Sequence, residues 1–177
     1  MKTYIALLRG INVGGHKKIL MADLRLLLES LGFKDVQTYI QSGNVIFRSH
    51  SEASAKECSE NISEAIKKKY GFKVPVLVKK ATELNEILLK CPFSDKKQEK
   101  SYFILLKECP SQECIKITSD FSHPNEEFHI EEDCVFIYYS EGAGKAKMGV
   151  NFFENKLKVK ATARNYRTMV KLLSMVS

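Results

Sequence analysis

An α+β fold of two βαββαβ halves is what this 177-residue sequence predicts, and three observations predict it. Short apolar runs of strand length alternate with segments of helical spacing in the order strand, helix, strand, strand, helix, strand. That order returns, less regularly, in the second half, with no sequence identity between the two. The composition, 44% apolar and 28% charged, is that of an ordinary globular chain. A chain of this length buries about 70% of its unfolded surface and folds without a metal or disulfide.

Thr3 to Leu8 is a buried-strand run. A long loop, Arg9–Ile19, follows it. A first helix begins near Met21, with Asp23 in its first turn, apolar Leu24, Leu27, Leu28 and Leu31 at helical spacing, and Gly32 as its stop. Val36–Ile40 and Val45–Phe47 are short strands around the turn Gln41-Ser42-Gly43-Asn44. A second helix runs roughly from Ser54 to Lys69 and ends at Gly71. Val74–Val78 is a strand, placed at a sheet edge by Pro75. The order is the split βαβ of ferredoxin-like domains with antiparallel sheets.

In the second half a helix covers Thr82–Lys90 and closes before Pro92. The polar stretch Lys96–Lys100 reads as a loop and as the domain boundary, giving halves at 1–95 and 96–177, the second with an extra C-terminal helix. Tyr102–Leu106 is a strand, Gln112–Ile117 a short helix or turn, and Phe128–Ile130 with Val135–Tyr139 a hairpin. Helical segments follow near Val150–Lys156 and Asn165–Val176.

The net charge is +7, which favours an anionic partner. Residues 1–50 carry a net +4, 51–100 a net +3, 101–140 a net −6 and 141–177 a net +6. The basic surplus thus flanks an acidic third quarter, whose run Glu126, Glu127, Glu131, Glu132, Asp133 reads as solvated strand ends. The five cysteines form no Cys-x-x-Cys pair, so neither a disulfide framework nor a zinc site is expected. Cys58 and Cys134 read as buried and inert. Reduced thiols and a first segment that reads as a strand rather than a signal peptide point to the cytoplasm. No stretch approaches the roughly 18 apolar residues of a membrane span, and no membrane partner is expected.

In a ferredoxin-like unit the strands lie in the order 4-1-3-2. The loop after strand one and the turn between strands two and three then emerge at the same edge. This places Arg9, Asn12, Gly14, Gly15 and Lys18 beside Gln41, Ser42 and Asn44. Glycines let backbone N–H groups approach a ligand, the loop leads to a helix N-terminus, and arginine and lysine supply positive charge. Such an edge can hold an anion. The bland alternative is that the glycines only turn the chain and Arg9 pairs with a carboxylate.

A second set lies near the C-terminus. EGAGKAK (Glu141–Lys147) supplies Lys145 between glycines and a further lysine. TARNYRT (Thr162–Thr168) reads as the opening of the last helix, with Thr162 or Asn165 as its cap and Arg164 and Arg167 flanking the start. Basic residues there oppose the helix dipole unless an anion sits between them. Neither motif is a nucleotide fingerprint: INVGG lacks G-x-G-x-x-G, and EGAGKAK lacks the first glycine and the hydroxyl of a Walker A loop.

No serine elbow and no H-E-x-x-H helix is present, the four histidines are scattered, and no catalytic residue, metal-ligand set or cofactor motif stands out. RNA-binding domains of the same topology carry stacking aromatics on their central strands. Here strand three reads NVIFRS and strand one offers Tyr4 alone, so that reading is weakly supported.

The segments Ala6–Arg25 (ALLRGINVGGHKKILMADLR), Leu31–Phe47 (LGFKDVQTYIQSGNVIF), Tyr70–Lys79, Glu141–Lys147 and Thr162–Leu173 resemble, in order, those of the bacterial domain-of-unknown-function family 1697. Glu108–Asp133 carries no family motif. The resemblance implies a cytoplasmic α+β protein of two ferredoxin-like halves and implies no activity. The expectation is a small phosphate-containing ligand held by Arg9, Asn12, Gly14, Gly15, Lys18, Gln41, Ser42, Asn44, Lys145, Thr162, Arg164, Asn165 and Arg167. The alternatives are a nucleic-acid-binding module and an interaction or regulatory domain without a small-molecule site.

Overall fold

The run from Thr3 to Leu8 lacks polar alternation because both faces of its strand are covered. In the computed structural model, which describes residues 1–50 and 52–176, Tyr4, Ala6 and Leu8 pack in one core cluster with helix residues Leu24, Leu28, Ile62 and Ile66. Ile5 and Leu7, on the opposite face, are equally buried.

Two four-stranded antiparallel sheets organise the chain. Strands β1 (Lys2–Leu8), β2 (Lys34–Tyr39), β3 (Asn44–Ser49) and β4 (Val76–Lys80) stand in the order β2-β3-β1-β4. This is the ferredoxin-like order, and β4 is an edge strand, as Pro75 suggests. Strands β5 (Ser101–Leu106), β6 (Glu126–Glu131), β7 (Cys134–Tyr139) and β8 (Ala161–Asn165) repeat it as β6-β7-β5-β8. The chain divides into unit 1, Met1–Asn85 with Lys171–Ser177, and unit 2, Glu86–Val170.

The helices of unit 1 are α1 (Met21–Ser30) and α2 (Ala55–Tyr70). Ser54 and Glu57 form a capping box at the start of α2, and Gly71 closes it in a left-handed conformation. The helix α3 (Ala81–Leu89) follows β4 directly. In unit 2, α5 (Gln112–Ser119) and α6 (Val150–Leu157) accompany the second sheet, whose core joins Ile104, Leu106, Val135, Ile137 and Ala161 to Phe153 and Leu157 of α6.

Three expectations need correction. Asp95–Glu99 is a short helix, α4, not a loop, begun at the N-cap Ser94. Ala161–Asn165 is a strand, not the opening of the last helix, which is α7 (Tyr166–Ser174). The sequence ATARN hides this strand: it is short, its alanines and asparagine are poor strand formers, and no turn separates it from the helix. Glu126 is no solvated strand end, because its side chain is only 3% exposed.

The two units share the way their first strands end. Leu8 N–H donates to Gly43 O (2.8 Å) and Arg9 N–H to Pro75 O (3.0 Å); in unit 2 Leu106 N–H donates to Asp133 O (2.8 Å) and Lys107 N–H to Lys160 O (2.8 Å). At the unit 1 position there is no room for a side chain. A Cβ on Gly43 would stand 2.6 Å from Leu8 Cβ and 2.8 Å from Ile11 Cδ1, and its φ is +86°.

Two outcomes follow from this packing and can be read by denaturant unfolding. Gly43→Ala lowers stability by about 2 kcal/mol or more, through overpacking and a left-handed backbone, whereas Gly144→Ala, which meets nothing within 4 Å, stays within about 0.5 kcal/mol of the parent. The Ser54 backbone N–H, then its hydroxyl, hold the Glu57 carboxyl below its ordinary value of 4.5. A lowered folded value means a contribution complete above 4.5 and lost as the pH falls through that lower value. The gap in unfolding midpoint between the parent and Glu57→Gln, open at neutral pH, therefore closes in acid.

Candidate functional site

The loop after β1 is held by one amide. Asn12 Nδ2 donates to Ile19 O (2.9 Å) and to Gln41 O (2.8 Å), and its Oδ1 accepts from Ile19 N–H (2.9 Å). The loop is thus closed on itself and fastened to the β2–β3 turn, the juxtaposition that the strand order predicts. Inside it the chain makes a small hairpin: His16 N–H donates to Val13 O, and Asn12 N–H to Lys17 O. Gly14 and Gly15 are its tip, both at positive φ (58° and 76°), as a tight hairpin turn requires.

In the facing turn Asn44, fully buried, donates through Nδ2 to Tyr39 O and to Ser42 Oγ, each at 3.0 Å. Gln41 contributes its backbone carbonyl to Asn12 and is itself exposed. Arg9 is half-buried at the strand exit, and Lys18 is exposed. The amides and glycines of this first set thus build the loop, and its cationic side chains stand around it.

The second set is gathered differently. A cleft of about 390 Å3 in unit 2 is lined by Gly142 and Ala143 from the first C-terminal motif and by Asn165 and Arg167 from the other. Lys100, Glu99, Tyr102, Tyr139 and Ser140 complete its wall. Asn165 lies opposite Tyr102 in the β5–β8 register, and its Oδ1 accepts from Thr168 N–H (2.9 Å), so it caps α7. Arg167 is exposed in the first turn of that helix, which holds no acidic residue.

Glu126 positions the loop on the other side. Its carboxylate accepts from Lys147 N–H and from Met148 N–H (2.7 Å). Tyr139 Oη donates to Met148 O (3.0 Å), and Ser140 N–H to Asn125 O (2.9 Å). Burial, with the charge of Glu126 and then Tyr102 adding to it, pushes the Tyr139 hydroxyl above its ordinary value, so it stays a neutral donor. The Tyr102 ring stands edge-on to Tyr139, with centroids 5.6 Å apart.

The strand character of Ala161–Asn165 divides the TARN motif. Successive side chains of a strand point to opposite faces, so Ala163 and Asn165 share one face of β8, and Thr162 and Arg164 the other. Arg164 is buried and donates through Nη1 to Ala163 O (2.8 Å) and Thr162 Oγ1 (3.3 Å). Burial brings its guanidinium down to about 10, so it remains cationic at neutral pH. Neither Thr162 nor Arg164 lines the cleft. Lys145 lies in a 3-10 turn, Ala143–Lys145, 3.9 Å from the Glu141 carboxylate.

Sequence reasoning missed Lys100, Tyr102, Tyr139 and Glu126. The only signal for Lys100 and Tyr102 is the pairing of β5 with β8, which an unrecognised eighth strand conceals. Glu126 is masked by its acidic neighbours. Among the described residues no group of three or more His, Cys, Asp and Glu could hold a metal, and no helix is long and apolar enough to cross a membrane.

A family model described as "Protein of unknown function (DUF1697)" matches residues 1–136. The chain is also similar to a solved structure, that of the conserved bacterial protein SP0830 from Streptococcus pneumoniae. The identity is 25%, the TM-score is 0.78, and 99% of each chain is covered. No curated protein matches the chain.

The Asn12 amide makes three hydrogen bonds at once, two of them to Ile19 seven residues along the loop and one to Gln41 on another turn. Asn12→Ala is expected to cost about 2–3 kcal/mol in urea unfolding, while Lys18→Ala stays within about 0.5 kcal/mol of the parent.

Proposed function

The chain belongs to the DUF1697 family of proteins of unknown function, and from that premise we propose that it binds a small phosphate-containing ligand in the unit 2 cleft. The observation that carries this reading is the meeting of Gly142 and Ala143 with Asn165 and Arg167 around one cleft, beside Lys100. Separated segments that converge with backbone, amide and cationic groups are what an anion needs.

Each group has a role in this reading. Arg167 offers a planar fork that matches two phosphate oxygens, and Lys100 a point charge. A guanidinium in the first turn of a helix is unfavourable to the dipole, and an anion seated there offsets that cost. Asn165 fixes the start of α7, and Glu126 holds the facing loop through Lys147 and Met148. The Tyr102 ring gives the cleft an apolar wall against which the rest of a metabolite packs. Thr162 and Arg164 belong to β8 and keep a structural part, and the amides of the N-terminal set keep theirs in the loop.

The test is a thermal-shift screen of nucleotides and phosphorylated metabolites against the parent, Arg167→Ala and Lys100→Ala. A ligand at a hundred times its Kd stabilises the parent by about 2.7 kcal/mol; the shift is expected to vanish in Arg167→Ala and to shrink in Lys100→Ala, with both unliganded variants melting near the parent. Absence of any shift at millimolar ligand, or an undiminished shift in Arg167→Ala, overturns the reading. Tight, steeply salt-dependent binding of oligonucleotides without any small-molecule shift favours the nucleic-acid alternative.

A further inference from the structure

We propose that the ligand of the unit 2 cleft is a ribonucleoside monophosphate, with its phosphate on Arg167 and Lys100, its ribose hydroxyls on Glu99 and its base against Tyr102. This rests on the reading of the cleft as a phosphate site and names the class of molecule that fits the rest of its wall.

A ligand must meet the polar groups that the fold leaves unused. Asn165 Oδ1 is engaged by Thr168 N–H, so its Nδ2, which has no partner among the described residues, is the end that faces a ligand. Ser140 donates its hydroxyl proton to Asn125 O (3.1 Å), and Tyr139 donates its own to Met148 O (3.0 Å). Glu99, Lys100 and Arg167 are all exposed. Among the described residues none of the three side chains is held in an ion pair or a hydrogen bond. The cleft therefore offers two cations and an amide donor on one side of the account, and one carboxylate on the other.

That balance of charge limits the ligand. Two cations against one carboxylate leave a small positive surplus. A phosphate monoester carries about −1.5 to −2 charges at neutral pH, which the surplus and the amide can hold. Further phosphates, or a second acid elsewhere on the ligand, would be brought against Glu99, and like charges set together count against binding. An ionised carboxylate only accepts hydrogen bonds, so the ligand must present donors to Glu99. A protonated amine would do so, but beside Lys100, the next residue in the chain, and Arg167. Neutral hydroxyls satisfy the carboxylate without that repulsion, and the hydroxyls of a ribose are well suited to it.

Shape supplies the remaining condition. Tyr102 is half-buried and lines the cleft, edge-on to the buried Tyr139. Tyr139 is tied to Met148 O, and so gives the Tyr102 ring a fixed support. Flat rings pack on such a side chain whatever the pattern of their edges; the wall selects a base without choosing among bases. The volume, about 390 Å3, lies near the lower end of the roughly 300–1,000 Å3 of small-molecule sites. One sugar and one base fill such a space, and a dinucleotide exceeds it.

Isothermal titration calorimetry on the full chain tests this with the common ribonucleoside 5′-monophosphates, their 2′,3′-dideoxy analogues, their triphosphates and ribose 5-phosphate. At least one monophosphate is expected to bind, about tenfold more tightly than its dideoxy analogue and than ribose 5-phosphate, and no more weakly than its triphosphate. Glu99→Ala is expected to bring the ribose and dideoxy forms to one affinity. Tyr102→Leu is expected to lower the nucleotide to the affinity of ribose 5-phosphate, while Tyr102→Phe binds as the parent does. Should the leucine variant not fold, the comparison of ligands on the parent decides the same point. The proposal is overturned if ribose 5-phosphate binds at least as tightly as every nucleotide, if the dideoxy analogue matches the ribonucleotide, if the triphosphate binds more tightly, or if Glu99→Ala keeps the preference for ribose. In each of those cases, binding of ribose 5-phosphate that is lost in Arg167→Ala leaves the phosphate reading of the cleft standing. Absence of binding by every phosphorylated compound removes both.

Discussion

A side chain on Gly43 would collide with Leu8 and Ile11, and this closeness sets how unit 1 is assembled. Because the β2–β3 turn presses on the end of β1, the chain leaving β1 cannot cross above it and must loop outwards. Asn12 then binds both sides of the gap, its amide donating to the loop and to the turn. The hairpin tip, the run into α1 and the β2–β3 turn thereby become one rigid end. In unit 2 the corresponding contact runs from Leu106 to Asp133, and the connection to α5 is short enough to need no such clamp.

Charge is arranged by the same logic of local pairing. Three acids of the acidic third quarter are engaged inside unit 2. Glu127 meets Lys97 at 2.6 Å, Glu132 meets Lys90 at 3.2 Å, and Glu126 accepts from two backbone N–H groups. Exposed pairs of this kind add little stability, but they lower the local surplus of positive charge. Unit 1 has no comparable run of acids near its loops, so the basic character of the sequence is expressed there.

Most of the fold is legible in the sequence where one physical signal dominates. Helix α2 has a cap at each end and a clear apolar face; β1 and β7 are continuous apolar runs buried on both sides; Pro75 marks an edge. The strand β8 is hidden because its stability comes from pairing with β5 and not from its own five residues. With β8 goes the cleft: the alternation of a strand sends Arg164 and Arg167 to different places, where a helix would have kept them together. The first set is legible as a cluster, since strand order alone brings Asn12 to Gln41. That its amides turn inwards is a matter of hydrogen-bond geometry, which residue types do not encode. Glu126 looks like its neighbours and differs from them only in what surrounds it.

Unit 1 includes residues from Lys171 onwards. Met175 and Val176 line a cleft with Thr3, Gln37, Ile46 and Arg48 of its first three strands. On a ribosome, all of Glu86–Val170 is made before that last stretch appears. Part of one face of the first sheet is therefore lined by chain that is synthesised only after the whole of unit 2.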